Sequence, residues 1–309
     1  MHIGILSFRS FKRRFSYESK RIEEEAIRRK HKVTMIRYQR CMMKFDGKGN
    51  LGIRYGNQKF PKDLGLIIPR ASTITNAPLR SAIVEHMQLM NLPMLNGFNA
   101  ITRAKNKLQT LQILSYYGIP VVKTAVINNN KYLRHAVKYI GEFPIIMKTI
   151  YGTFGNGVAI VESERSVKST YGILANNMGG KNAILLQEYI AESQGKDIRL
   201  FVIGGEVVAS MQRCAEDGDF RSNVGQGGSG EGYKPTREEV SLAIKATRAL
   251  GLEVSGVDII QTKHGPAIME VNANPGFQEL EQVSGVNVAE KIVRYGEKFA
   301  RGYVAEDVL

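Results

Sequence analysis

The sequence predicts a mixed α/β (α+β) fold: a parallel α/β domain first, then two regions of antiparallel sheet with helices packed on them. Strand and helix patterns alternate over the first ninety-odd residues, as in a parallel layer. In the second half, apolar runs are joined by tight turns, as in hairpins. The expected units are residues 1–97, 98–187 and 188–309.

HIGILSF opens as a strand, and Tyr17 to Lys30 reads as a helix with Ile22, Ala26 and Ile27 on one face. HKVTMI is a second strand and LGLIIPR a third, stopped by Pro69. Residues 78–90 set Leu79, Ile83, Met87 and Met90 at helical spacing, and MLNG returns to the sheet. No G-x-G-x-x-G turn occurs here, so nothing supports a dinucleotide site. A helix over about 100–117 ends at Gly118 and Pro120. VVKTAVI, a helix near 130–140, FPIIMKTI, a glycine-rich loop leading into a strand, and ILLQEYI follow. DIRLFVIGGEVVASMQR reads as a hairpin turning at Gly204-Gly205. It places Ile198, Leu200 and Val202 on one face and Asp197, Arg199 and Phe201 on the other. A glycine-rich loop covers about 215–235. Thr236 and Glu239 form a capping box opening a helix that ends near Leu250, and a last helix covers about 287–300.

The 309 residues hold 43% hydrophobic and 23% charged residues, an ordinary globular composition. No apolar run approaches the about 20 residues that cross a membrane. The start, MHIGILSF, reads as a strand rather than a signal peptide. Cys41 and Cys214 are far apart, which argues against a disulfide framework and for a reducing cytoplasm. The net charge is +14, and residues 1–62 hold 17 Lys/Arg against 5 Asp/Glu. So one-sided an excess favours an acidic partner, either nucleic acid or an acidic protein or peptide.

In GVDIIQTKHGPAIMEVNANPG an acid interrupts each of two apolar runs. With the hairpin centred on His264, Asp258 faces Glu270, and Asn272 shares their side of the sheet. Two carboxylates and an amide oxygen suit Mg²⁺ or Mn²⁺, which share phosphate oxygens with bound nucleotides. The plain alternative is a pair of solvated acids on an open face. Lys148 ends a buried strand just before G-T-F-G-N-G, a loop whose backbone could approach phosphates, though the same pattern suits a hairpin turn. Lys107 lies on the preceding helix. Arg221 sits in the glycine-rich 215–235 loop, and Arg213 ends a strand nearby. None of the five histidines adjoins a nucleophile, so the inventory suits phosphoryl transfer, where metal, lysine and arginine charges hold phosphates in line.

The segments NKLQTLQIL, IIMKTIYGTFGNGV, LLQEYI, KDIRL, DFRSN, GVDII and MEVNANPGF together resemble the RimK-type ligases of the ATP-grasp superfamily, over the whole chain. The resemblance implies an ATP-grasp fold with ATP between two antiparallel sheets. Lys107 and Lys148 would touch phosphates, Glu188-Tyr189 the adenine side and Asp197 the ribose side. Arg221, Ser222 and Asn223 would lie over the phosphates, and Asp258, Glu270 and Asn272 would ligate two divalent ions. Arg213 would stabilise the tetrahedral intermediate. An acyl phosphate formed on an acceptor carboxylate would be displaced by the amine of an amino-acid donor, glutamate by analogy. The acceptor would be an acidic protein or peptide, a ribosomal protein among the candidates, and the ligase a homo-oligomer.

Two departures stand out. Val224-Gly225-Gln226 replaces the basic residue expected before Gly227-Gly228, and the loop FRSFKRRF is long and basic. Rival readings are a ligase for a carrier protein or a small-molecule acid, and a basic nucleic-acid-binding protein with a regulatory nucleotide site. Arg70 is either an acceptor-site residue or an exposed strand-end arginine.

Overall fold

The computed structural model describes residues 1–70, 78–150, 157–177, 183–215 and 229–303. The chain opens with β1 (His2–Ser7), α1 (Tyr17–Arg28), β2 (Lys32–Arg37), β3 (Cys41–Phe45), β4 (Leu51–Tyr55), β5 (Gln58–Lys59) and β6 (Leu64–Arg70). Next come α2 (Pro78–Leu89), α3 (Phe98–Lys105), α4 (Lys107–Tyr116), β7 (Thr124–Ile127), α5 (Leu133–Ile140), β8 (Ile145–Thr149), β9 (Val158–Val161), α6 (Glu164–Asn177) and β10 (Ile184–Glu188). The last stretch holds β11 (Lys196–Ile203), β12 (Glu206–Cys214), β13 (Ser229–Gly232), α7 (Arg237–Ala249), β14 (Val254–Thr262), β15 (Gly265–Asn272), α8 (Gln278–Ser284) and α9 (Val288–Gly302).

β2, β1 and β6 form a parallel sheet, with β1 in the centre and buried along its whole length. Pro69 does not stop β6: it pairs with Leu6 inside the strand. A proline is tolerated there because β6 is an edge strand, joined beyond, among the described residues, by the single bridge Ile67–Met94. On α1, capped by Ser16, Ile22 and Ala26 are buried, but Ile27 is 58% exposed. One residue further round the helix turns the side chain by about 100°, off the buried stripe.

Further features depart from the sequence expectation. The helix over 100–117 is two helices, because the Asn106 side chain accepts hydrogen bonds from the Leu108 and Gln109 amides and starts α4 afresh. Lys107 thereby becomes the first residue of a helix. β3, β4 and β5 form an unforeseen antiparallel meander whose first turn is closed by Asp46 accepting from the Lys48 and Asn50 amides. Inside the glycine-rich 215–235 stretch, β13 pairs with β12. Helices α6 and α8 were also not foreseen.

The remaining strands make two antiparallel sheets, ordered β7-β10-β8-β9 and β13-β12-β11-β14-β15. On β11 the alternation is as expected. Ile198, Leu200 and Val202 pack with Leu242, Ala243 and Ala246 of α7, while Phe201 and Ile203 pack with Ile3 and Ile5 of β1 and Ile292 of α9. The five-stranded sheet therefore shares its cores with the amino-terminal sheet. The four-stranded sheet has its own core with α5 and α6. Val122, Ile190, Ile260 and Ala267 join the two antiparallel sheets, and the Ile268 amide donates to Pro120 O at 2.9 Å.

Candidate active site

β14 and β15 meet in a two-residue turn, Lys263-His264, with Thr262 paired to Gly265. That turn alone would put Met269 opposite Asp258. A bulge adds one residue to β15, so that Asp258 faces Glu270 and Gly256 faces Asn272. The expected register of the two acids is therefore correct, though the bulge, not a turn centred on His264, produces it.

The next two strands extend this face. Arg199 on β11 lies opposite Asp258, and Asp197 lies opposite Arg213 on β12. Arg199 grips Asp258 with Nε on Oδ1 and Nη2 on Oδ2, both at 2.7 Å. Arg213 grips Asp197 at 2.7 and 2.8 Å and reaches Asp258 Oδ2 at 3.0 Å. Burial alone would raise the Asp258 pKa, but the Arg199 and Arg213 charges outweigh it and hold the carboxyl below its usual range. Burial would likewise lower Arg213, yet Asp258 and Asp197 keep it above its ordinary value. The acid inside the strand is thus compensated by two arginines. Arg199 escaped the sequence reading, although its alternation with Asp197 placed it on this face.

Glu270 lines a pocket at the seam between the antiparallel sheets, together with Lys107, Lys148, Gln187, Leu185 and Ile268. Lys148 donates to Gln187 Oε1 at 2.6 Å, and the Gln187 amide donates to Thr124. Burial pushes the Lys148 ammonium down to about 8; Glu270 opposes the shift and Lys107 adds to it. Lys105, not singled out in the sequence, is also held below its usual value by burial, with Glu270 opposing. Several cations converging on one carboxylate in a concave site make a receptor for a polyanion. Gly157, past the glycine-rich loop, has φ +77°, and a Cβ there would collide with the Thr149 hydroxyl.

The structure brings Lys107, Lys148 and Glu270 together in this pocket and sets Asn272 on the same sheet face as Glu270. Glu188 and Tyr189, half-buried, do not line it; the adjacent Gln187 does. Asp197 is buried with both oxygens on Arg213, and Arg213 is 3% exposed between two carboxylates. Arg221, Ser222, Asn223 and Gln226, with Gly152 and Gly155, lie outside the described residues. Among the described residues no group of three or more His, Cys, Asp or Glu is placed to hold a metal. The expected set has only two acids, so its third member is the Asn272 amide. No helix among them is long and apolar enough to cross a membrane.

A profile of the RimK-like ATP-grasp domain matches residues 104–295, and one of the RimK PreATP-grasp domain matches residues 1–101. The chain belongs to the RimK family of ATP-grasp ligases. It is 37% identical over 298 residues to a probable alpha-L-glutamate ligase of Methanococcoides burtonii, covering 96% of each chain. It is 38% identical over 286 residues to the ribosomal protein bS6–L-glutamate ligase of Salmonella paratyphi B, covering 92% of this chain and 93% of the other. A solved RimK-domain ATP-grasp protein of Sphaerobacter thermophilus superposes with a TM-score of 0.73 at 21% identity, covering 96% and 99% of the two chains. The ATP-grasp ligase PsnB, solved with Mg and ADP, superposes at 0.72 and 16% identity, covering 96% and 98%. These likenesses establish the ATP-grasp fold, and with the family they make this RimK-type chain an ATP-dependent ligase.

Proposed function

We propose that this ligase adds L-glutamate through an amide bond to the carboxyl terminus of an acidic protein or peptide, of the bS6 kind. The convergence of Lys107, Lys148 and Glu270 on one pocket at the sheet seam carries the reading for ATP, and the glutamate-ligase relatives carry it for the substrate. An acceptor carboxylate oxygen attacks the γ-phosphorus of ATP, and ADP leaves. The glutamate nitrogen then attacks the acyl carbon and loses a proton, and phosphate departs. Lys107 and Lys148 hold the phosphates in line, and the family resemblance assigns Arg221, Ser222 and Asn223 to the same phosphates. By the family resemblance Glu188 and Tyr189 border the base, and Asp197, with both oxygens on Arg213, supports the ribose side through that pair. The oxygen donors Glu270, Asn272 and Asp258 Oδ1, which carries a single guanidinium contact, fit two Mg²⁺ or Mn²⁺ ions. Bound metal would neutralise charge developing on the phosphates. Arg213, enclosed between Asp197 and Asp258, acts in this reading by holding Asp258 rather than by touching the tetrahedral intermediate.

The test is product mass after incubation with Mg-ATP, each amino acid in turn and a glutamate-rich peptide. Growth by glutamate units is expected; ADP release without peptide growth would move the acceptor to a carrier protein or a small acid.

The basic amino-terminal loop fits an acidic acceptor. Lys12, Arg13 and Arg14 are exposed. Arg37 folds the loop under them, donating to Ser10 O and Arg13 O and lying 4.2 Å from the Phe15 ring centre. Lys20 and Arg21, in contrast, are tied to Glu23, Glu24, Glu25 and Glu281 and support the fold. Reversing the charges of Lys12, Arg13 and Arg14 is expected to raise the acceptor KM about tenfold at low salt, less at high salt, with ATP affinity unchanged. Acceptor kinetics indifferent to that change would assign the loop to something else.

A further inference from the structure

We infer that Arg70, with Asn274 beside it, binds an α-carboxylate of the ligase's substrate. The site rests on geometry, and the identity of its ligand rests on the ligase reading above.

Arg70 ends β6, at the carboxyl edge of the parallel sheet, and its side chain is half-buried rather than exposed. Its Nη2 donates to Pro275 O at 3.0 Å, and its guanidinium lies 5.9 Å from the Phe277 ring centre. A guanidinium carries five N–H donors. Among the described residues the Pro275 carbonyl is its one hydrogen-bond acceptor, and Nε is enclosed with no partner. Leaving such a donor enclosed and unpaired is unfavourable, and the planar fork is shaped to take a carboxylate in its own plane. On the five-stranded sheet, by contrast, Arg199 and Arg213 each already hold a carboxylate.

The neighbouring residue in the loop supplies the complement. Asn274 Oδ1 is an enclosed acceptor without a partner among the described residues. Glu18, at the start of α1, lies against the exposed Gly276, where its Oε1 would be 3.3 Å from a Cβ. Arg70 thus meets the loop at the residue after Asn274 and just before the exposed Gly276. The Arg70 donor and the Asn274 acceptor match a carboxylate with an N–H on the next carbon, which both a free amino acid and a peptide carboxyl terminus possess. The loop Asn274–Gly276 follows directly on β15, which carries Glu270 and Asn272. Glu270, four residues before Asn274, lines the nucleotide pocket, so the loop leads directly away from it along the chain.

The test is calorimetric titration of L-glutamate, and separately of an N-acetylated di-glutamate with a free terminus, onto the full chain loaded with Mg²⁺ and a non-hydrolysable ATP analogue. Arg70→Gln is expected to weaken one of the two ligands about tenfold or more, the loss of a charge-assisted pair. Weakened glutamate names the donor, and weakened peptide names the acceptor. Arg70→Lys, which keeps the charge, is expected to fall between, and Asn274→Ala to weaken the same ligand. Unchanged binding of the ATP analogue shows that each variant is folded. Wild-type binding in both Arg70 variants overturns the inference, as does equal binding of the peptide and its terminal amide where the peptide is the ligand affected. Failure of the wild type to bind either ligand overturns it too. Carboxylate binding through Arg70 without glutamate addition would instead refute the glutamate-ligase reading and leave the subsite standing.

Discussion

Asp258→Ala is expected to unfold the protein several degrees earlier, whereas Glu270→Ala shifts the midpoint far less and abolishes ATP turnover. The sequence makes the two acids equivalent, but the structure does not. Asp258 is 2% exposed and receives Arg199 on both oxygens and Arg213 on one. Removing it strands Arg199, whose side chain is 14% exposed, and strips Arg213 of one of its two carboxylates. Breaking a buried pair in this way costs about 3–5 kcal/mol, because a buried charge is left uncompensated. Since the folded carboxyl is held below its ordinary value of 3.8, this stability is present at neutral pH and is lost only as pH falls below that value. Glu270 is half-buried in the pocket and makes no ion pair among the described residues, so its loss removes chemistry and, beyond its Coulombic support of Lys148 and Lys105, little folding energy. Thermal melts of both variants beside ADP release would separate the roles. A wild-type midpoint in Asp258→Ala would mean that the arginines do not depend on it.

How much of this site the sequence discloses depends on how far apart the partners are in the chain. Asp258 and Glu270 belong to one hairpin, so a turn position and a period of two place them opposite each other. The intervening bulge has no marker in AIMEV that distinguishes it from a regular strand. Arg199 reaches Asp258 across β11 and β14, whose register depends on how α7 packs between them in sequence, and no local pattern encodes that. Asn96 is a similar case. Its side chain accepts from the Glu253 and Val254 amides and donates to Val254 O and Ala273 O, pinning both ends of the acid hairpin. In the sequence it is one polar residue in MLNG.

Fold elements divide along the same line. The parallel strands and the capping box of α7 follow from runs and caps read locally, and the structure has them. The split between α3 and α4 also has a local cause, Asn106, but an asparagine within a helix-forming run reads as a tolerated interior residue. The meander β3–β5 is hidden for a different reason. Its inward residues Ile53 and Tyr55 are few, and its exposed ones mix Lys44 and Arg54 with the apolar Met42 and Phe45, so no clean alternation is visible.

Lys148→Met is expected to stabilise the nucleotide-free protein while weakening ATP binding by about a hundredfold, the loss of a charge-assisted phosphate contact of roughly 3 kcal/mol. The first half follows from the burial that pushes the ammonium from 10.5 to about 8. At neutral pH the folded chain holds a charge that the unfolded chain holds more easily, a deficit of about 3 kcal/mol. Between about 8 and 10.5 the unfolded state binds more protons than the folded one, so wild-type stability rises with pH through this window. Methionine is uncharged and of similar length, so the variant should lack that rise and be more stable below it. The second half follows because phosphate oxygens supply the countercharge that Gln187 and Glu270, which forms no ion pair with the lysine, only partly provide. The same countercharge should raise the lysine pKa on binding, so ATP titrated at pH 8 in buffers of different ionisation enthalpy should show proton uptake in the wild type and less in the variant. A variant that binds ATP as the wild type does would remove Lys148 from the phosphate site. A variant that loses ATP and is also destabilised at neutral pH would mean that the lysine supports the fold, and the buried charge would need a partner other than the nucleotide.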